Sequence, residues 1–314
     1  MNELKTKGIH HITSIVGDPN ENIEFYRDVL GLRLVKKTVN FDDPYTYHLY
    51  FGDETGSPGT VITFFPWGNG QQGRIGTGQV GVTMYRVPEG SLSYWKRRLK
   101  TKGIATDKVE QFGQERLLFF DPHGLKNILV EGRGEGNENH NMTPGEYRIS
   151  GFEGAVLYSH FPDKTKEMLV DIFQYRVIEE NENSIRLSAK DSRAKDLGRI
   201  LEIDKTIKVR GLTQIGTVHH IALRVEDPSI QAKWKEKLEE LGYSVSPVRD
   251  RNYFTSIYFH EPGGILFEVA TDGPGFHRDE PLENLGGELM LPKEYESRRQ
   301  EIEKHLPLIT QEVK

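Results

Sequence analysis

Five residues of the 314-residue chain have types and spacing suited to shared chemistry: the pairs His10–His11 in "GIHHITSIV" and His219–His220 in "TVHHIALRV", and Glu268 in "GILFEVA". Two imidazoles and one carboxylate can hold a divalent cation and leave positions open for exogenous ligands, as in the facial triads of non-haem Fe(II) oxygenases. Neighbouring strand side chains point to opposite faces, so one histidine of each pair is expected at any common site; spacing alone leaves open which. A carboxylate inside an apolar strand is costly unless paired or metal-bound, which makes Glu268 informative. Taken singly, a strand histidine is most often a hydrogen-bonded core or surface residue, and a lone glutamate most often lies at the surface. Their combination at repeated positions carries the metal argument.

Composition narrows the chemistry further. The chain has no cysteine, so disulfides, thiolate zinc sites, iron–sulfur clusters and cysteine nucleophiles are excluded, and any metal must sit on nitrogen and oxygen. A formal net charge of −6 and a pI near 6.0 argue against nucleic acid or an anionic membrane as the partner and for a small molecule. "MNELKTKG" lacks the apolar core of a signal peptide, and no apolar run approaches the ~20 residues needed to span a bilayer, so a cytoplasmic location is expected.

The elements that must position these residues repeat along the chain. "GIHHITSIVGDP" (8–19) and "TVHHIALRVEDP" (217–228) align at one constant offset. Asp18 and Asp227 can each cap a helix that has Pro19 or Pro228 at its first position. Ile23, Tyr26 and Leu30, and Ile230, Trp234, Leu238 and Leu241, then follow helical apolar spacing up to Gly31 and Gly242. Weaker copies begin at "QVGVTMYRV" (79–87) and "GFEGAVLYS" (151–159), and "DPHG" (121–124) and "EPGG" (261–264) mark matching hairpin turns. The pattern predicts four βαβββ modules in an α+β fold. The second and third modules carry no histidine pair, and Ile128 stands in module two where Glu268 stands in module four.

The glycine-rich, polar stretch 131–146 reads as a linker. Two tandem domains are therefore expected, residues 1–135 with modules one and two and 147–275 with modules three and four. A charged tail, 276–314, with a helix around "PKEYESRRQEIEKHL", reads as a packing appendage. The glycines of 68–81 form no dinucleotide fingerprint and read as a connector. His48 on a strand of module one could face the cup, although most such histidines are structural; His123 belongs to a turn and His140 to the linker.

These residues resemble the vicinal oxygen chelate (glyoxalase/extradiol dioxygenase) superfamily, whose βαβββ modules form a cup around a divalent metal. Within it the chain is similar to the hydroquinone ring-cleaving dioxygenases of the MhqO/MhqA and chlorohydroquinone dioxygenase type. The resemblance is strongest in "GIHHIT", "TVHHIA", "RNYFTSIYFHEPGGILFEVATDGPGF" and the C-terminal helix. It implies His11, His220 and Glu268 as metal ligands, and hence a cup built from modules one and four. Strand alternation would then set Ile9, His11 and Thr13 on one face and His10, Ile12 and Ser14 on the other. The resemblance further implies roles near metal or substrate for His10, Thr13, His219, Arg251 and Tyr258. Arg251 could supply a fixed charge-assisted donor and Tyr258 a proton.

The function so implied is Fe(2+)-dependent, extradiol-type opening of a hydroquinone-like aromatic diol by O2, with Mn(2+) able to replace iron; a homo-oligomer is compatible with the sequence. Two rivals remain at this point. One is a glyoxalase-like isomerase or lyase, a reaction that typically uses four protein ligands where three stand out here. The other is a non-catalytic binder of an aromatic molecule, which would have no need of the triad.

Overall fold

The computed structural model describes residues 4–132 and 144–310; His140 and most of the expected linker lie outside them. Module one runs β1 (Ile9–Val16), α1 (Pro19–Ile23) continuing as a π-helical turn Glu24–Val29, β2 (Arg33–Asn40), β3 (Asp43–Gly52) and β4 (Val61–Pro66). Module two is β5 (Gln79–Val87), α2 (Leu92–Thr101), β6 (Thr106–Gln111), β7 (Gln114–Phe120) and β8 (Lys126–Glu131). Module three is β9 (Gly151–Tyr158), α3 (Pro162–Glu167) with a π-helical turn Met168–Ile172, β10 (Arg176–Glu180), β11 (Ser184–Ser188) and β12 (Ile200–Asp204). Module four is β13 (Thr217–Val225), α4 (Pro228–Glu240), β14 (Arg249–Asp250), β15 (Thr255–His260) and β16 (Leu266–Thr271). The four βαβββ units are those the repeat pattern predicts.

Local chemistry fixes the helix ends. The Asp18 carboxylate accepts from the Asn20 and Glu21 amides, and Asp227 accepts from Ile230, each capping a helix that begins with proline. Gly31 and Gly242 adopt φ of 76° and 85° just beyond the helices. Ile23, Tyr26, Leu30, Trp234 and Leu238 are buried. Leu241 departs from the helical pattern: α4 stops at Glu240, and Leu241 is 52 % exposed.

The strands form two eight-stranded sheets, ordered β14-β15-β16-β13-β1-β4-β3-β2 and β10-β11-β12-β9-β5-β8-β7-β6. Module one thus joins module four in one sheet, and module two joins module three in the other. In each module the first strand pairs in parallel with the last, a connection that requires a crossover, which the helix provides. The first strands meet in antiparallel pairs, β1 with β13 and β5 with β9, at the centre of each sheet. The connector 68–81 makes isolated bridges to residues 210–215, so the links into modules two and four lie side by side.

The tail packs closely. Phe276 and Leu285 join a buried cluster with Val35, Tyr50, Val61, Tyr253 and Phe254. The buried Lys36 ammonium pairs with Asp279 at 2.6 Å and with Glu280, and Tyr295 donates to the Phe41 carbonyl at 2.9 Å. The helical region splits into 3₁₀ turns over Lys293–Arg298 and α5 (Arg299–His305). Among the described residues, no helix is long and apolar enough to cross a membrane.

Candidate metal centre

His11 on β1, His220 on β13 and Glu268 on β16 occupy three neighbouring strands, and their burial leaves little contact with solvent. Among the described residues, they are the group of histidine and acidic side chains close enough to share an ion, with ligand atoms all within 4.8 Å of one another. Glu268 Oε2 lies 3.2 Å from His11 Nε2 and 2.9 Å from His220 Nε2, and the two Nε2 atoms are 3.4 Å apart. Oε2 nevertheless receives no well-formed hydrogen bond, while Oε1 accepts from the Ser256 hydroxyl. Three converging acceptor-capable atoms around a buried point fit a divalent cation, with an N2O donor set. Burial pushes the Glu268 carboxyl up, but the facing imidazoles outweigh this and hold it well below its usual range, so it is ionised.

The strand alternation expected around His10 and His11 does not hold. Ile9 opposes Leu223 and His11 opposes Ala222, leaving His10 as an extra residue on β1; Thr13 opposes His220 and Ser14 opposes Val218, leaving His219 extra on β13. Each pair therefore sits on a β-bulge, which breaks the period of two. The physical result is that each candidate ligand histidine is backed by its neighbour: His10 Nδ1 is 2.8 Å from His11 Nδ1, and His219 Nδ1 is 2.8 Å from His220 Nδ1. With an ion between the rings and the carboxylate, the ligand's Nδ1 would carry the proton and donate to its neighbour, leaving the Nε2 lone pair for the cation. Burial lowers the His10 pKa far below 6.5 and that of His219 to about 3, keeping both neutral acceptors.

A cavity of about 380 Å³ opens over the triad, lined in part by His11, His219, His220, Arg251, Tyr258 and Phe254. It falls within the range of small-molecule sites. Arg251 donates through Nε to the Tyr258 hydroxyl at 3.2 Å and through its terminal nitrogen to Asp42 at 2.9 Å. Its guanidinium remains charged: burial opposes this, but Tyr258 and Asp42 raise its pKa. Burial, reinforced by the Glu268 charge, raises the Tyr258 pKa and keeps its hydroxyl protonated. His10 and Thr13 lie outside the cavity lining. The His10 ring packs against His11 and Phe254, with centroids 5.0 and 5.1 Å away, and the Thr13 hydroxyl meets Thr63 at 2.8 Å.

The profile of the Glyoxalase/Bleomycin resistance protein/Dioxygenase superfamily matches residues 8–129 and 154–269. The chain belongs to that superfamily. It is 51% identical over 306 residues, covering 96% of each chain, to MhqO of Bacillus subtilis (strain 168), which is named as a candidate ring-cleaving dioxygenase. It is 33% identical over 307 residues, 95% of each, to the chlorohydroquinone/hydroquinone 1,2-dioxygenase of Sphingobium indicum. A crystal structure from Bacillus subtilis subsp. subtilis str. 168, described as that of a candidate dioxygenase, superposes with a TM-score of 0.94 at 49% identity, covering 99% of both chains.

The superfamily's repeated module shows why one triad forms where four modules supply positions. By strand register, His11 and His220 correspond to Val82 and Gly154 in the second sheet, and Glu268 corresponds to Thr63, Ile128 and Glu202 in the other modules. Glu202 keeps the carboxylate, but Arg116 clasps it with two hydrogen bonds, at 2.6 and 2.8 Å, and Arg186 adds one at 2.8 Å. A side chain at Gly154 is excluded, since a Cβ there would lie 2.0 Å from the Ile200 carbonyl oxygen. In module one, Thr63 holds the place a fourth ligand would take, its hydroxyl engaged by Thr13 and by His48 Nε2, each at 2.8 Å.

Sequence reasoning passed over Ser256, Thr63, Tyr50 and Phe254; His48, which the sequence allows to face the cup, lines the cavity. A signal existed for two of them. His48 and Tyr50 are two residues apart on a strand, so they share a face, and both are polar-tipped residues within the mostly apolar segment "YHLYF".

Proposed function

We propose that the protein is a ring-cleaving dioxygenase that opens hydroquinone-type aromatic diols with O2, using Fe(2+), or Mn(2+) in its place, held by His11, His220 and Glu268. The observation that carries this reading is Thr63 at the position of a fourth ligand, with its hydroxyl already hydrogen-bonded to Thr13 and His48. A glyoxalase-type isomerase typically uses four protein ligands; three leave room for both a diol oxygen and O2. The relative named as a chlorohydroquinone/hydroquinone dioxygenase supports the diol class.

When bound, the ion supplies a Lewis-acidic, redox-active centre at which diol and O2 are brought together. The chain's own contribution is orientation, charge and protons. Arg251, fixed between Tyr258 and Asp42, presents a permanent cation to oxygen atoms that gain negative charge during ring opening. Tyr258 keeps its proton and can donate it to such an oxygen. Neutral His219, which lines the cavity and accepts from the His220 ring at Nδ1, keeps its Nε2–H to donate to an oxygen of the incoming diol. Phe254 and Phe65 form apolar walls for the ring and limit water.

The test is O2 uptake by protein reconstituted anaerobically with Fe(2+) and offered methylhydroquinone or catechol, with product mass recorded. Uptake with the hydroquinone and a product heavier by two oxygens is the expected result. Glu268→Ala should lose bound metal and O2 uptake together, whereas a simple aromatic binder would retain ligand affinity. No uptake with either diol, despite stoichiometric iron, would overturn the proposal.

A further inference from the structure

The cavity has two polar flanks of different character. The triad stands on the central strands β16, β13 and β1; Tyr258 is on β15 to one side, near Arg251, and His48 and Tyr50 are on β3 to the other. The first flank carries the fixed charge of Arg251. The second is a hydrogen-bonded chain of neutral groups crossing three strands: Tyr50 Oη to His48 Nδ1, His48 Nε2 to Thr63 Oγ1, and Thr63 Oγ1 to Thr13 Oγ1, each step 2.8 Å. All four residues are buried, and Tyr50 and His48 face the cavity.

The two hydroxyls of a hydroquinone lie at opposite ends of the ring. With one directed at the open positions of the triad, the other is carried away from it and must find a partner or forfeit its hydrogen bond to water. Of the other polar groups on the lining, Asn40 Oδ1 accepts from the Asp42 amide, Asp42 holds Arg251, the Ser246 hydroxyl joins the Tyr258 amide and the Pro247 carbonyl, and Arg249 is an exposed cation that can donate to an oxygen but cannot accept its proton. His219 adjoins the ligand His220 and so stands beside the ion rather than across the ring from it. Tyr50 Oη has His48 as its partner and one further hydrogen-bonding capacity.

Resting on the diol reading above, we propose that Tyr50 is the residue that recognises the second hydroxyl of a para-diol, with His48 and Thr63 as its positioning residues. The chain works in either direction. With the His48 proton on Nε2, the Tyr50 hydroxyl donates to Nδ1 and its oxygen accepts the distal substrate O–H. With the proton on Nδ1, His48 donates to Tyr50 Oη, and the tyrosine proton faces the cavity to meet a keto oxygen. The wall therefore serves both forms of the distal oxygen while remaining uncharged. Burial keeps the His48 imidazole neutral and supports this arrangement.

The test compares anaerobic binding of hydroquinone and of 4-methylphenol, in which a methyl group replaces the second hydroxyl, to the Fe(2+)-loaded protein. Wild type should prefer hydroquinone by roughly 5- to 30-fold, the range expected for one satisfied buried hydrogen bond. Tyr50→Phe should lose that preference while its affinity for 4-methylphenol stays within about twofold, a pairwise comparison that separates recognition from general disturbance. His48→Leu, which leaves the tyrosine in place but untethered, should lose part of the same preference. An equal loss for both ligands, or an unchanged preference, in both variants would overturn the proposal. Wild type that binds and opens hydroquinone alongside an unaffected Tyr50→Phe would overturn this inference alone; wild type that binds no hydroquinone would overturn the diol reading with it.

Discussion

The residues around the cavity owe their chemistry to burial as much as to type. His48 is a polar side chain with both ring nitrogens hydrogen-bonded, yet desolvation, with the nearby His11 and His220, holds its pKa well below 6.5. The sign of the consequence follows from linkage. Below about pH 6.5 the unfolded chain protonates this imidazole while the folded chain does not, so stability present at neutral pH is lost as pH falls, by up to about 1.4 kcal/mol per pH unit for this one group. Chemical denaturation of metal-free protein at intervals from about pH 7.5 to about pH 5 should therefore show a steeper acid decline for wild type than for His48→Gln. Parallel declines would remove His48 from the acid response.

At the level of elements, the β-bulges and the tail decide how the cup works. A regular β1–β13 pair would send His10 and His219 away from their neighbours; the bulged pair stacks each behind a candidate ligand, with a ring nitrogen placed to share the Nδ1 proton of that ligand. The tail fixes the opposite rim. Lys36 on β2 is fully buried and pairs with Asp279 and Glu280, and Tyr295 holds the carbonyl of Phe41, a residue of the cavity wall. Removing one partner from a buried ion pair leaves uncompensated charge, at a cost of about 3–5 kcal/mol. Lys36→Ala should lose stability of that order in urea unfolding and weaken substrate affinity through the displaced rim. A loss below about 1 kcal/mol would show that the tail contributes no such brace.

Over the whole molecule, two sheets with the same strand plan have different fates. The first sheet gathers both histidine pairs and Glu268; the second keeps a carboxylate, Glu202, but surrounds it with arginines and has no room for a side chain at Gly154. One divalent ion per chain is therefore expected. Metal analysis after Fe(2+) loading and gel filtration should give a ratio near one for wild type and near zero for Glu268→Ala. A ratio near two would mean that the second sheet also takes an ion.

Much of this was legible in the chain itself. Adjacent histidines repeated at one offset, the Asp-Pro helix starts and the strand glutamate are local signals, because capping, proline geometry and burial cost act over a few residues; they determined the four modules and narrowed the candidate ligands to the two histidine pairs and Glu268, while the choice of His11 and His220 came from the family resemblance. Other features depended on contacts between distant segments. The bulge that reverses the expected facing of His10, the use of Thr63 in the fourth-ligand position, the arginine clasp on Glu202 and the tail's grip on Lys36 arise from register and packing between strands far apart in sequence. Those relations carry no periodic mark along the chain, since a one-residue shift in pairing re-aims side chains without changing the composition of either strand, and only the tertiary structure decided them.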